Sequence, residues 1–173
     1  RPASGGRRQP RQGGAQLSAQ GAGEPGSSLR QRHGPPLSDF APDDLELACG
    51  DARLRLALRG AEPLAWSVGD LDLLWAPDPA IWAQTAPLLF PVVGWTRNGE
   101  ARHRGRTYPL GLHGFAARKN FSVVEQGGDF ARLRLEADEE TRALYPFDFR
   151  LDAVYRLERE ALAWTLEATN PGP

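Results

Sequence analysis

Two runs of alternating apolar and polar residues place the strongest constraint on what this chain can fold into. The first run covers residues 147–157, where Phe, Leu, Ala and Tyr alternate with mostly charged side chains. The second covers residues 162–168, and a short polar stretch at residues 158–160 separates the two. A period of two places the apolar side chains on one face of a strand. The pattern therefore predicts a β-hairpin with one buried face.

The same period recurs in shorter pieces upstream of that hairpin. The further strands predicted in this way are residues 45–47, 53–58, 64–67, 71–75, 121–125 and 130–136. Residues 141–145 predict a short helical turn that ends at Pro146, and no segment has the apolar spacing of a three-turn helix. Many short strands of this kind are typical of an all-β protein, so we expect an antiparallel β-sandwich.

A proline-rich stretch interrupts the strand pattern between residues 77 and 91. Its prolines, Pro77, Pro79, Pro87 and Pro91, exclude a central strand or a long helix there. The stretch also contains Trp, Ile, Leu and Phe side chains, which favour an ordered loop packed over the sheet. Loops held on a rigid scaffold often carry binding or catalytic residues.

Composition divides the chain into residues 1–40 and residues 41–173. The first part is rich in Gly, Pro, Gln, Ser and Arg and lacks apolar periodicity, so we predict a disordered leader. Residues 1–36 contain six Arg and one acidic residue. Nucleic-acid binding is therefore one hypothesis for the leader, but no aromatic residue lies between these charges, and we expect no nucleic-acid partner.

Other features of the sequence concern the protein's location. No apolar run approaches the length of a membrane span, and no apolar segment follows the basic start as in a signal peptide, so we expect no membrane association. Cys49 is the single cysteine, which excludes an intrachain disulfide and a Cys-based zinc site and agrees with a cytoplasmic location. The chain contains no Met, and we expect a fragment or a processed product.

Candidate site residues lie between positions 95 and 118. His113 offers an imidazole for proton transfer, Arg97 and Arg118 offer forked donors for hydroxyl groups, and Trp95 and Phe115 offer flat apolar faces. Sugar sites combine these groups. Taken singly, each residue also has an ordinary structural explanation. A His in a loop is more often hydrogen-bonded to a neighbour than functional, an Arg is more often a surface charge, and an aromatic ring is more often packed in the core.

Several blocks of sequence together resemble the aldose 1-epimerase (galactose mutarotase-like) family, in particular its bacterial uncharacterised branch. The blocks, in order, are Leu74-Trp75, Trp82, APLLFPVVG at residues 86–94, LHGFA at 112–116, YPFDF at 145–149 and Asn170-Pro171. The resemblance covers residues 43–173. It implies a galactose mutarotase-like supersandwich, of which this chain contains only the N-terminal part.

The resemblance also implies an isomerase that interconverts the α and β anomers of a free aldose. That reaction opens the sugar ring by general acid–base catalysis and needs no cofactor or metal. His113 matches the family's catalytic histidine in the His-Gly block, and Arg118 resembles an Arg that follows it. We expect Arg97, Trp95, Arg118 and Phe115 to bind the substrate. The expected partner is a small-molecule sugar, and the oligomeric state is left open.

The sequence departs from the family pattern in two respects. Many relatives have an Arg directly after Gly94, whereas this chain has Trp95, with Arg97 two residues later as a substitute. The family's second histidine and its late catalytic Glu have no counterpart here. We therefore expect the fragment itself to be inactive, and a non-catalytic carbohydrate-binding β-sandwich module is the alternative function.

Overall fold

The computed structural model describes residues 44–172. Residues 1–40, for which we predict a disordered leader, lie outside the described part, so that prediction is untested. Within residues 44–172 no helix has both the length and the apolar character that crossing a bilayer requires. Strands dominate, in agreement with the predicted all-β class.

Ten strands and one α-helix make up the described part. The strands are β1 (Leu45–Cys49), β2 (Ala52–Leu56), β3 (Pro63–Val68), β4 (Leu71–Asp72), β5 (Glu100–His103), β6 (Arg106–Pro109), β7 (Ser122–Gln126), β8 (Phe130–Glu136), β9 (Arg150–Leu157) and β10 (Leu162–Thr169). The helix is α1 (Glu139–Leu144). The strand orders are β1-β2-β3-β4, β10-β9-β8-β7 and the separate hairpin β5-β6, and all named pairs are antiparallel.

The two four-stranded sheets share one hydrophobic core. Leu47, Leu54 and Leu56 of the first sheet and Leu133, Leu151 and other inward residues of the second are buried in a single cluster. Alternation along β8 and β9 directs these side chains inward and sends charged ones to the opposite face. Burial of this continuous apolar face is the main favourable contribution to folding.

Tyr155 is the largest fully buried side chain and joins the two sheets. It lies on β9, and its hydroxyl donates a hydrogen bond to the carbonyl oxygen of Ala61, which lies beside β3. Burial raises the pKa of this phenol well above its usual range. The hydroxyl therefore stays protonated and remains a hydrogen-bond donor at every physiological pH.

A charged cluster covers the other face of the second sheet. The carboxylate of Asp152 on β9 is 4% exposed and accepts hydrogen bonds from Arg134 at 2.7 Å and from Arg132 at 2.8 Å, both on β8. Arg132 also bonds Glu167 on β10 at 2.7 Å. The hydrogen bonds from Arg134, and then those from Arg132, hold the pKa of Asp152 below its usual value. The cluster ties three neighbouring strands together.

The helix α1 begins with a reciprocal cap. Asp138 accepts a hydrogen bond from the Thr141 amide at 2.6 Å, and the Asp138 amide donates to the Thr141 hydroxyl at 2.8 Å. Lys119 contacts both Asp138 and Glu140, at 3.2 and 2.6 Å. The short helix is thereby attached to the segment that follows the LHGFA block.

Two strand predictions differ from the structure. The strand expected at residues 71–75 ends at Asp72, because the chain leaves β3 soon after the Leu73 amide bonds the Trp66 carbonyl at 2.8 Å. The hairpin of β5 and β6 lies in a stretch for which the sequence predicted no strand. The predicted hairpin at residues 147–168 is confirmed, although its first strand begins at Arg150 instead of residue 147.

Candidate functional site

The proline-rich loop and the LHGFA block meet at Phe90 and Gly114. The Phe90 carbonyl accepts hydrogen bonds from the amides of Phe115 at 2.9 Å and Ala116 at 3.2 Å. Gly114 has φ of +67° and is buried, and a Cβ built on it would lie 2.5 Å from the Phe90 carbonyl carbon. Only glycine combines this left-handed backbone with such a close approach. The two loops are therefore held together through their main chains.

His113 is fixed directly beside this junction. Its amide donates to the Gly94 carbonyl at 3.1 Å, and its Nδ1 hydrogen-bonds the Val93 carbonyl. The backbone of His113 has φ of +61°, a conformation that is uncommon for residues other than glycine and often found at functional sites. Because a carbonyl can only accept, Nδ1 carries the proton in this contact. In the neutral form of an imidazole with this tautomer, Nε2 is the acceptor, and the residue as a whole is exposed.

Arg118 reaches the same junction from its C-terminal side. Its Nη2 donates to the Gly114 carbonyl at 2.6 Å, across the 3₁₀ turn Ala116–Arg118. The residue is otherwise exposed. The structure therefore brings the guanidinium of Arg118 to the carbonyl of Gly114, the residue that directly follows His113.

Trp95 and Arg97 form a neighbouring surface. Trp95 is 65% exposed, and Arg97 opens the 3₁₀ turn Arg97–Gly99. The Thr96 hydroxyl donates to the Leu110 carbonyl at 2.7 Å, and the Leu110 amide donates to the Gly99 carbonyl at 2.8 Å. These bonds attach the turn to the segment that leads into His113. Arg97 and Asn98, with Glu100 and Arg102 of β5, line an open groove of about 340 Å³.

Phe115 is buried in the core, a position that does not fit its expected role in substrate binding. It is 2% exposed, and its ring packs against Phe90, Tyr145 and Phe149 with centroid separations of 6.1, 6.5 and 5.7 Å. A ring enclosed in this way has no face for a ligand. The expectation that Phe115 binds substrate is therefore replaced by a packing role, in which the aromatic cluster supports the junction that carries His113.

Glu62 is a supporting residue that sequence reasoning missed. Its Oε1 accepts hydrogen bonds from the amides of Thr85 at 2.8 Å and Ala86 at 2.9 Å. The acceptor thus fixes the start of the segment that leads to Phe90. A single Glu beside Pro63 carries no local signal of this role, because its partners lie more than twenty residues away in the sequence.

A second groove lies at the β5–β6 hairpin. It measures about 350 Å³ and is lined by Arg106, Tyr108, Arg142, Phe147, Asp148 and Pro146. Arg142 and Asp148 pair across it at 2.8 Å. His103 lies on β5, and the centroid of its ring is 4.6 Å from that of the Phe147 ring. The YPFDF block is the sequence signal that points to this region.

Comparisons with known proteins agree with this architecture. The sequence profile described as aldose 1-epimerase matches residues 43–173. The plasmid-encoded LacX protein of Lactococcus lactis subsp. lactis is 31% identical over 105 residues, which are 58% of this chain and 35% of LacX.

Two solved structures are similar to this chain. A galactose mutarotase related enzyme from Lactobacillus acidophilus has a TM-score of 0.71 and 32% identity, over 73% of this chain and 43% of that one. A galactose mutarotase-like protein from Lactobacillus casei has a TM-score of 0.70 and 26% identity, over 73% and 44% of the two chains. The match therefore extends over less than half the length of each relative.

The profile match covers most of the sequence, and the fold is similar to that of the two mutarotase-like structures. Both the predicted resemblance and the predicted β-sandwich are confirmed. The chain belongs to the aldose 1-epimerase family, and residues 44–172 have a galactose mutarotase-like β-sandwich fold.

Proposed function

We propose that this chain supplies the His113 side of a sugar site in an enzyme that interconverts the α and β anomers of a free aldose. The observation that carries the proposal is the anchored imidazole of His113. Its Nδ1 is tied to the Val93 carbonyl while its side chain remains exposed, so Nε2 is the nitrogen presented to a ligand. The family to which the chain belongs supports a sugar as the partner.

Anomer exchange requires two proton transfers. A base removes the proton of the O1 hydroxyl, the C1–O5 bond breaks as C1=O1 forms, and an acid protonates the ring oxygen. Rotation about C1–C2 and reversal of these steps close the ring with the opposite configuration. In the proposed mechanism His113 acts near this reacting end: Nε2 accepts a proton in the neutral ring and donates one in the imidazolium.

In this proposal, the residues around His113 bind the sugar. Trp95 offers an exposed indole face to the C–H groups of a pyranose, and Arg97 and Arg118 direct guanidinium donors toward hydroxyl groups. The anchoring of both loops to one junction supports this assignment, because fixed groups lose little freedom when a ligand binds. No cofactor and no metal enters the proposal.

We assign the second proton-transfer group to a part of the fold that the longer relatives contain and this chain does not match. The coverage of 43% of the Lactobacillus acidophilus enzyme supports that assignment. The 173-residue chain alone is then expected to bind a sugar without appreciable catalysis. A cytoplasmic location belongs to the same proposal, supported by the single Cys49.

A non-catalytic carbohydrate-binding module is the second candidate. The observation that favours it is Trp95, which is 65% exposed directly after the Phe-Pro block. An aromatic face binds sugars by stacking and contributes nothing to proton transfer. The two candidates differ in turnover, which makes them separable by one assay.

The assay is polarimetry of freshly dissolved α-D-glucose and α-D-galactose. It uses the product of the uninterrupted reading frame that encodes this chain. The enzyme hypothesis predicts faster mutarotation than in buffer, a loss of at least tenfold in kcat/KM for His113→Asn, and little change for the control His103→Asn. Full activity in His113→Asn refutes the catalytic role of His113. Sugar binding without any acceleration favours the binding module.

A further inference from the structure

Thr96 makes a hydrogen bond that links two loops. It lies directly before the 3₁₀ turn Arg97–Gly99, a position from which a Thr hydroxyl often accepts a hydrogen bond from a following backbone amide. Within the described residues, the Thr96 side chain makes no such capping bond. Its hydroxyl instead donates to the carbonyl of Leu110 at 2.7 Å, across a sequence separation of 14 residues. The side chain therefore stabilises the contact between the loops and not the turn that it precedes.

The acceptor of this bond is firmly held in the fold. Leu110 is 2% exposed and belongs to the hydrophobic core. Its amide donates to the Gly99 carbonyl at 2.8 Å, next to the pair of Glu100 and Pro109 that begins the β5–β6 ladder. Both backbone groups of Leu110 thus bind the turn, the amide through the main chain of Gly99 and the carbonyl through the hydroxyl of Thr96.

Trp95 is held on both sides by the segment that ends at His113. Gly94, directly before Trp95, accepts a hydrogen bond from the His113 amide at 3.1 Å. Thr96, directly after Trp95, is bonded to Leu110, which lies shortly before His113 in the sequence. These two hydrogen bonds fix the backbone of Trp95 against the loop that carries the imidazole.

The indole of Trp95 lies beside the same 3₁₀ turn. A Cβ built on Gly99 would be 3.7 Å from Cζ2 of Trp95, so the six-membered ring of the indole is close to the Gly99 backbone. A displacement of the turn therefore displaces the indole as well. The Gly99 amide donates to the Thr96 carbonyl at 2.9 Å, so the main chain holds the shape of the turn without the Thr96 hydroxyl.

We propose that Thr96 is a positioning residue that sets the place of the Trp95 indole relative to the imidazole of His113. This inference rests on the sugar site proposed above. A sugar that stacks on Trp95 presents its reacting end to Nε2 of His113 only when the two side chains keep a fixed separation. Misplacement of reacting groups by about 1 Å can lower a rate by about a hundredfold. Thr96 acts through the turn and not by contact with the sugar.

Three variants test the inference. Thr96→Val keeps the branched shape of the side chain and removes the hydroxyl, and Thr96→Ser restores a hydroxyl for rescue. Thr107→Val is the matched control, because it makes the same change at an exposed position of β6. In the sugar-free chain, we expect the resonance of the Leu110 carbonyl carbon to move in Thr96→Val, to return toward its original position in Thr96→Ser, and to stay unchanged in Thr107→Val.

NMR titration of the 173-residue chain with D-glucose and D-galactose gives the second readout. In Thr96→Val we expect the indole of Trp95 to respond to sugar at the same concentrations as in the parent chain, because the turn keeps its shape. The sugar-induced shift of His113 Hε1 should fall by about half or more, because the bound sugar is no longer aligned with the imidazole.

Kinetics provide a third readout in the product of the uninterrupted reading frame. For Thr96→Val, we expect kcat for mutarotation to fall by about fivefold or more while KM changes little, and Thr96→Ser should recover most of the loss. A residue that only stabilises the fold would leave both constants unchanged well below the unfolding temperature. The split between kcat and KM therefore separates positioning from a merely structural role.

The outcomes distinguish this inference from the sugar site on which it rests. If Trp95 and His113 respond to sugar in Thr96→Val as they do in the parent chain, the inference is overturned and the sugar site stands. Failure of Thr96→Ser to rescue, or an equal effect of Thr107→Val, overturns it as well. If neither side chain of the parent chain responds to either sugar, the sugar site is refuted together with the inference.

Discussion

Replacement of Gly114 by Ala is predicted to destabilise the domain far more than a glycine replacement at a similar backbone conformation. The added Cβ would lie 2.5 Å from the Phe90 carbonyl carbon and 2.6 Å from Pro91 Cδ. Both neighbours belong to the other loop of the junction, and the carbonyl belongs to rigid backbone. Relief of the overlap therefore requires the two loops to separate.

Separation of the loops removes the two hydrogen bonds that the Phe90 carbonyl accepts from Phe115 and Ala116. A buried backbone group left without a partner costs about 1–3 kcal/mol. The left-handed backbone adds about 1–2 kcal/mol for Ala. We expect Gly114→Ala to lower the free energy of unfolding by about 2–5 kcal/mol, a large part of the stability of a typical domain.

Gly105→Ala is the matched control. Gly105 has φ of +77°, and a Cβ added there would meet nothing within 4 Å, so this change carries the backbone strain without the overlap. It is expected to cost about 1–2 kcal/mol. The measurement is urea unfolding followed by tryptophan fluorescence. Equal losses for the two variants would show that the junction does not depend on the close approach at Gly114.

Two further predictions concern stability. Asp152→Asn is expected to cost about 2–3 kcal/mol at pH 7, less than for a fully buried pair because Arg132 and Arg134 are partly exposed. Because the pKa of Asp152 is lowered in the folded state, its contribution to the free energy of unfolding is present above the unfolded-state pKa and is lost as pH falls through the folded-state pKa. Thermal unfolding between pH 7 and pH 2 should therefore show a smaller loss of stability on acidification in the variant than in the parent chain. Parallel pH dependences for the two proteins would contradict this. Glu62→Ala removes the acceptor for the amides of Thr85 and Ala86 and should lower the free energy of unfolding in urea by about 2 kcal/mol. Glu62→Gln retains an acceptor oxygen and should restore most of that stability. Unchanged stability in Glu62→Ala would contradict the anchoring role.

The strands that the sequence predicted well are those whose apolar faces meet the core. β8, β9 and β10 each place every second residue on the core side of the sheet, because one face of each strand lies on or beside the shared hydrophobic cluster. Residues 147–149 continue that alternation but belong to no strand. Phe149 instead joins the aromatic cluster with Phe90, and Asp148 pairs with Arg142, so tertiary contacts replace the ladder there.

The hairpin of β5 and β6 was not predicted because both of its usual signals are missing. Its strands are short and mostly polar, so no apolar alternation marks them. Its turn has positive φ at Arg104 and Gly105, where an Asn-Gly or Asp-Gly pair would be the usual signal. An Arg at the first of these positions gives no such indication.

Residue chemistry indicated the candidate site residues, and the family resemblance was needed to favour a functional role over the ordinary alternatives. Nothing in the local sequence distinguishes His113 from an ordinary loop histidine; its anchoring depends on the carbonyls of Val93 and Gly94, about twenty residues earlier. For Phe115 the local sequence suggested a role that its burial does not support. Its position in the LHGFA block suggested substrate contact, but burial depends on what packs around a ring, and three aromatic neighbours enclose it.

The proposed sugar site is tested most directly by NMR observation of the imidazole of His113 during titration of the chain with D-glucose and D-galactose. We predict a saturable shift of the His113 Hε1 resonance, accompanied by a change at the Trp95 indole, with His103 unaffected. The same titration of Arg118→Ala should require higher sugar concentrations. No shift at His113, or equal shifts at both histidines, would contradict the claim that this anchored imidazole faces a bound sugar.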